Sequence, residues 1–211
     1  MSTLKVNNLQ KKDGTALITD GVAQTGLLTE TALRSAGVGL IKLNTTDVTS
    51  AVATVTFDNT LISDNYSAYI LEYEGLKPVT DNVMLRSRYS TDNGSSFITG
   101  SFNYGYHYSA LGSASSGGSG GAKSDYALGD YGAGNDANYP YAGTFHINGM
   151  RDSGSYLSIR HEWVMKNQGN LFYVSQEGWV IQDASVINFM EWSFHSGNIA
   201  DGTFTLLGVN K

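Results

Sequence analysis

Apolar and polar residues alternate with a period of two along most of this chain, as is typical of strands with one buried face. The clearest stretch is VMLRSRYSTDNGSSF, residues 83–97, in which apolar or small side chains alternate with Met84, Arg86 and Arg88. Asp92-Asn93-Gly94 then supplies residues that tolerate positive φ. The stretch therefore predicts a strand that runs into a tight turn.

Similar alternation recurs from residue 40 to the C-terminus. Strands are predicted within 51–57, 69–74, 98–108, 156–165, 171–174, 178–181, 186–194 and 203–209. Only TETALRSA, residues 29–36, has a helix-like composition, and at about two turns it predicts a connector. Many short strands without a long helical period predict an all-β, antiparallel sandwich. The pattern by itself leaves open the choice between a jelly roll and other Greek-key sandwiches.

Two segments differ from this pattern. Residues 1–36 predict a short hairpin, with strands at 4–9 and 16–19, that buries too little apolar surface to be stable alone. We interpret 1–36 as an attachment or oligomerisation segment and 37–211 as the sandwich. Within the sandwich, residues 109–141 are rich in Gly, Ser, Ala, Asp and Tyr, a composition that predicts a long surface excursion.

This excursion contains the candidate ligand-binding residues Tyr126, Tyr131, Tyr139 and Tyr141. Tyrosines among Gly, Ser, Asn and Asp are typical of surfaces that recognise sugars or proteins through flat rings and adaptable hydrogen bonds. The alternative is that these rings hold the loop in place or fill a subunit interface.

Composition excludes several classes of function. The chain has 13 basic and 19 acidic residues, a net charge of −6 and no cysteine. Without clustered cations it is not expected to bind nucleic acid, and without cysteine it has no disulfide, thiolate metal site or cysteine nucleophile. No signal peptide or long apolar segment is evident, so we expect a protein made in a cytoplasm without membrane insertion.

No motif predicts a catalytic residue, a metal site or a cofactor. Gly117–Gly121 matches G-x-S-x-G, but a nucleophile elbow lies between a strand and a helix, and this match lies in a Gly/Ser tract. The four histidines have no metal-binding spacing. Glu72 and Glu74 share one face of a predicted strand, and three further glutamates could approach them in a sandwich: Glu162, Glu177 and Glu191. Solvent-facing positions on a sheet explain these carboxylates more simply than glycoside hydrolysis does.

Several segments, in their order along the chain, resemble phage virion proteins. They are MSTLKVNNLQ at 1–10, LKP at 76–78, RSRYSTDNGSSF at 86–97 and DGTFTLLGV at 201–209. The corresponding family segments read approximately LRxSTDxGSxF and, at the end of the chain, SGTFxLYGV. Departures from the family pattern are Ser-Arg-Tyr at 87–89 and Leu207, where tyrosine is usual. The chain thus resembles the virion appendage proteins of marine and cyanobacterial phages that have a C-terminal jelly-roll domain.

The resemblance implies a jelly-roll-like β-sandwich and a place in the virion, in a tail or head fibre or another appendage. It also implies a homotrimer that contacts other virion proteins through the N-terminal segment and binds a host surface glycan through its loops. Two alternatives remain. One is a capsid cement or decoration protein without a receptor role, and the other is a glycan depolymerase that uses Glu72 or Glu74.

Overall fold

A computed structural model describes most of the chain. The described residues are 9–10, 16–19, 22–23, 37, 39–100, 102–110, 116–123, 126–127, 132–136, 138, 141–167, 169 and 171–211. The chain divides into two compact units, Met1–Ile41 and Lys42–Lys211. The helix-like segment 29–36 and the predicted strand residues 4–8 lie outside the described residues. In the described part of the chain, no helix is long and apolar enough to cross a membrane.

All regular elements of the described residues are strands. In chain order they are β1 (Leu9–Gln10), β2 (Ala16–Thr19), β3 (Val22–Ala23), β4 (Leu40–Val48), β5 (Val55–Phe57), β6 (Tyr66–Pro78), β7 (Leu85–Ser90), β8 (Phe102–Ala110), β9 (Ser116–Lys123), β10 (Tyr126–Ala127), β11 (Tyr141–Asn148), β12 (Leu157–Lys166), β13 (Phe172–Ile181), β14 (Phe189–Phe194) and β15 (Ile199–Asn210). In the N-terminal unit, β1, β2 and β3 form a three-stranded antiparallel sheet.

The second unit is a jelly-roll-like antiparallel β-sandwich, which confirms the predicted fold class. One sheet has eight strands in the order β4-β15-β6-β11-β12-β13-β8-β9, and the other has four in the order β10-β7-β14-β5. Neighbours in these sheets are mostly distant in sequence. The alternation of apolar and polar residues therefore predicted where strands occur more readily than which strands pair.

Side chains from both sheets form the core between them. Trp192 of β14 is fully buried, and its ring centroid lies 4.3 Å from that of Phe145 on β11. The alternation that predicted β7 and β12 is the burial pattern of these strands, in which every second residue is buried. Burial of apolar area between the sheets is the main stabilising contribution.

The turn predicted after β7 is present. Asn93 and Gly94 have φ values of 57° and 87°, in the left-handed region that Asn and Gly tolerate. Asp92 holds the turn, because its carboxylate accepts hydrogen bonds from the side chain and backbone of Ser96 and from the hydroxyl of Ser90. The bond from the Ser96 hydroxyl, followed by those from the Ser90 hydroxyl and the Ser96 backbone, lowers the pKa of Asp92 to about 2.

The Gly/Ser tract differs from the expected loop. Residues Ser116–Lys123 form β9, an edge strand paired antiparallel with β8. Backbone hydrogen bonds need no side chains, and the absent side chains make room for tyrosines of β8. A Cβ on Gly118 would lie 2.9 Å from the hydroxyl of Tyr106, and one on Gly120 would lie 2.7 Å from that of Tyr104. The tyrosine rings of β8 thus supply the contact area that the missing side chains of the tract would otherwise supply.

Candidate functional site

The predicted tyrosine site is only partly described. Tyr131 and Tyr139 lie outside the described residues, and of Tyr126 only the backbone is described, in β10. The prediction that Tyr141 belongs to an exposed loop is wrong. This residue begins β11, is 3% exposed, and its ring packs edge-on against Tyr73 with centroids 5.1 Å apart. Its side chain faces the core because it lies on the inward register of β11.

The outer face of the eight-stranded sheet carries a different candidate site. A row of directly paired polar residues crosses six strands: Thr205, Glu72, Thr144, Glu162, Gln176 and His107. The row reaches β4 through Thr45, whose hydroxyl lies 3.4 Å from that of Thr205. These residues alternate with the buried ones, so one strand pattern produces both the core and this polar row.

A depression of about 540 Å³ lies over the middle of this row. Its polar walls are formed by Glu72, Glu74, Thr144, Glu162, Gln176, Thr203 and Thr205. Ala142, Val164 and Val174 supply apolar surface, and the last of these is 54% exposed. Carboxylates, hydroxyls and an amide beside small apolar side chains can hydrogen-bond a hydroxyl-rich ligand and also contact its C–H groups.

A second depression of about 500 Å³ lies on the same face, over β6, β11 and β12. Its polar side chains include Ser67, His146, Asn148 and Arg160, and its apolar ones are Ala68, Ile70 and Val209. His146 and Arg160 are two residues from Thr144 and Glu162 along β11 and β12, so the two depressions are neighbours on one surface. We call the two depressions together the outer groove.

The glutamates singled out in the sequence fall into three environments. Glu72, Glu74 and Glu162 lie in the outer groove, with Glu72 and Glu162 two strands apart, about 10 Å between Cα atoms at the usual interstrand spacing. Glu177 points into the core, where it accepts a hydrogen bond from the indole of Trp163 at 2.8 Å. Glu191 lies on the other sheet, paired with Arg88.

This geometry lends little support to a glycosidase or to a nucleophile elbow. A glycosidase acid requires a carboxyl group in an apolar environment that raises its pKa, whereas Glu72 and Glu74 are exposed on an open surface. Ser119 of the G-x-S-x-G match lies within β9 rather than at a turn between a strand and a helix. A depolymerase that uses Glu72 or Glu74 stays a prediction.

The four histidines do not come together. Among the described residues, no group of three or more histidine, aspartate or glutamate side chains could hold a metal ion. His161 is fully buried, and its ring stacks on that of Phe145 with centroids 3.7 Å apart. Its Nε2 lies 3.0 Å from the hydroxyl of Tyr73, and its Nδ1 lies 3.7 Å from a carboxylate oxygen of Glu177, which is beyond hydrogen-bonding distance.

This burial predicts how stability depends on pH. Desolvation lowers the pKa of His161, although Glu177 partly opposes the shift. As pH falls below about 6.5, the unfolded chain binds a proton at this histidine that the folded protein does not yet bind. We expect the free energy of unfolding, measured by urea titration, to decrease from pH 7 to pH 5, and this component to be lost in His161→Gln.

His107→Gln is the control, because the side chain of His107 is exposed. This variant should keep the pH dependence of the unmodified chain. A slope between pH 7 and pH 5 that is the same in His161→Gln as in the unmodified chain would contradict the role given to His161.

The outer groove is thus the candidate site that the described side chains support. It has hydrogen-bonding groups of both charge signs and an apolar floor, and the described aromatic side chains among its neighbours, Tyr69, Tyr73 and Trp163, are buried. Comparisons with models of known protein families, with curated proteins and with solved structures give no match.

Proposed function

We propose that this chain is a structural protein of a phage virion, part of a tail or head appendage, that displays its β-sandwich for adhesion to a host surface glycan. The outer groove is the contact surface. The observation that supports this function is an open depression of about 540 Å³, lined by carboxylates and hydroxyls, on the exposed face of the eight-stranded sheet. The segments that resemble virion appendage proteins support the place in the virion.

A glycan fits the outer groove better than a peptide does. Extended peptides commonly bind at the edge of a sheet, where unpaired backbone groups accept them as an added strand. The strands beneath the groove, β6, β11 and β12, are interior strands with partners on both sides. Recognition on this face therefore depends on side chains, and the residues Thr144, Thr203 and Thr205 present hydroxyls suited to sugar hydroxyls.

Host-cell adsorption of the purified full-length chain tests the proposal. Glu72→Gln is expected to weaken adsorption about tenfold or more, as the loss of a hydrogen bond to a charged group does. Asp136→Asn is the matched control, since it removes one exposed carboxylate outside the groove and should leave adsorption unchanged. The combined alanine variant of Tyr126, Tyr131 and Tyr139 tests the loop tyrosines as a second contact.

The outcomes separate the candidate functions. Adsorption that is lost only in the tyrosine variant would move the contact to the loop and reject the groove. A chain that coats virions but does not adsorb to cells would indicate a cement or decoration protein. Release of reducing ends from the polysaccharide, abolished by Glu72→Gln, would indicate a depolymerase instead.

The N-terminal segment is proposed to join the sandwich to other virion proteins and to support a homotrimer. Deleting residues 1–36 removes β1, β2 and β3 but leaves all strands from β4 onward. We expect the shortened chain to keep the melting temperature of the sandwich and to lose incorporation into particles, because a small hairpin sheet has little independent stability and needs a partner. Electron microscopy of particles assembled with the shortened chain checks this, and normal incorporation would refute the attachment role.

A further inference from the structure

The two halves of the outer groove carry opposite charges. Glu72, Glu74 and Glu162 line one depression, whereas Arg160 lines the other. Along β11 the groove extends from Ala142 to Asn148, which is about 20 Å at the rise of an extended strand. A ligand that occupies both halves is therefore elongated and meets groups of both signs.

The charges are available to such a ligand. The one ion pair described within the groove joins Arg160 Nε to Glu162 Oε1 at 3.7 Å, and these side chains are 62% and 45% exposed. An exposed pair at this distance contributes at most about 1 kcal/mol. A ligand can therefore replace the pair with two closer contacts, a cation at Glu162 and an anion at Arg160, without a large loss.

From this charge pattern we infer that the outer groove binds a linear zwitterionic polysaccharide, one that carries free amino groups and carboxylate or phosphate groups along the same chain. The inference rests on the proposed function and deepens it. Amino groups bind at Glu72, Glu74 and Glu162, and the anionic group binds at Arg160, where a guanidinium can donate two hydrogen bonds. The small side chains Ala142, Ala68 and Val209 leave room for the sugar rings between these contacts.

Isothermal titration of the full-length chain with four oligosaccharides of equal length tests the inference. N-deacetylated hyaluronan carries amines and carboxylates, hyaluronan carboxylates alone, chitosan amines alone, and chitin neither. We expect N-deacetylated hyaluronan to bind about tenfold or more tightly than either singly charged oligosaccharide, since each charge-assisted hydrogen bond adds affinity. Raising the salt concentration should reduce this advantage.

Variants at Glu72 and Arg160 test which half of the groove binds the amino groups and which half binds the anionic group. Glu72→Gln should weaken binding of chitosan and N-deacetylated hyaluronan about tenfold and leave hyaluronan unchanged. Arg160→Gln should weaken binding of hyaluronan and leave binding of chitosan unchanged. Arg160→Lys should retain part of the affinity for hyaluronan. Thermal melts of the same samples establish that each variant is folded.

Three results would overturn the inference. They are equal binding of chitin and N-deacetylated hyaluronan, equal effects of Glu72→Gln on all four oligosaccharides, and equally tight binding of a peptide with alternating lysine and glutamate. If host adsorption still depends on the groove in these cases, the proposed function stands and only the zwitterionic class is wrong. If adsorption is unaffected by Glu72→Gln and by Arg160→Gln, the outer groove is rejected as the contact surface of the proposed function as well.

Discussion

Replacing Trp192 with alanine is expected to lower the free energy of unfolding by about 3–5 kcal/mol, the usual range for removing a buried large aromatic side chain. Trp192 is fully buried on β14 and packs at 4.3 Å against Phe145 of the opposite sheet. Its removal takes away apolar area from the middle of the sandwich and leaves a cavity that both sheets would have to close. Urea unfolding followed by tryptophan fluorescence and circular dichroism measures the loss.

Two further variants make this prediction specific. Tyr156 is 54% exposed, so Tyr156→Ala should change stability by no more than about 0.5 kcal/mol. Trp192→Phe keeps most of the ring volume and removes an indole N–H that has no hydrogen-bond partner among the described residues. We expect it to cost much less than Trp192→Ala, because a buried unpaired donor is itself unfavourable. Equal losses in Trp192→Ala and Tyr156→Ala would show that the sandwich core lies elsewhere.

Replacing Arg88 with alanine should give the second large effect. Arg88 and Glu191 are directly paired across β7 and β14, and the Nε of Arg88 donates to Glu191 Oε1 at 2.9 Å while Nη2 contacts the same oxygen. Phe97 covers the pair, with its ring centroid 4.0 Å from the guanidinium carbon. Only 11% of the Glu191 side chain is exposed, so Arg88→Ala leaves a carboxylate that is largely buried and without its partner.

The expected loss is about 2 kcal/mol or more, between the values for exposed and for fully buried pairs, because the Arg88 side chain keeps 31% of its exposure. Arg160→Ala is the matched control, since the pair of Arg160 with Glu162 is longer and exposed on both sides. It should cost less than about 1 kcal/mol. A double-mutant cycle on each pair gives the two coupling energies. Similar coupling energies would contradict the role assigned to burial by Phe97.

The sequence alone predicted part of the candidate site. Strand alternation correctly placed Glu72 and Glu74 on one face of β6, because side chains two residues apart in a strand always share a face. Alternation in β12 also places Glu162 on the polar face, where it joins them. It did not predict that Glu177 is buried, because β13 carries apolar side chains on both faces and only packing against the second sheet decides which face is inward.

For the tyrosine-rich segment, residues 109–141, the composition led to a wrong prediction. Its composition predicted a surface excursion up to Tyr141, yet β9 and the first residue of β11 belong to the eight-stranded sheet. Backbone hydrogen bonding to a neighbouring strand can order a Gly/Ser tract that has no apolar side chains of its own, provided that the neighbour supplies the packing. Tyr104 and Tyr106 of β8 supply it here.

The sequence by itself determined the all-β class, the inward and outward faces of β7 and β12, and the Asp92-Asn93-Gly94 turn. These features follow from interactions within a few residues, namely alternation, positive φ and side-chain bonds to nearby backbone. Only the tertiary structure decided that Tyr141 is buried and that the outer groove unites β6, β11, β12, β13 and β15 with charges of both signs at its ends. Strand order joins residues as distant as Glu72 and Thr205, and it is set by the burial of two whole sheets against each other rather than by any local segment.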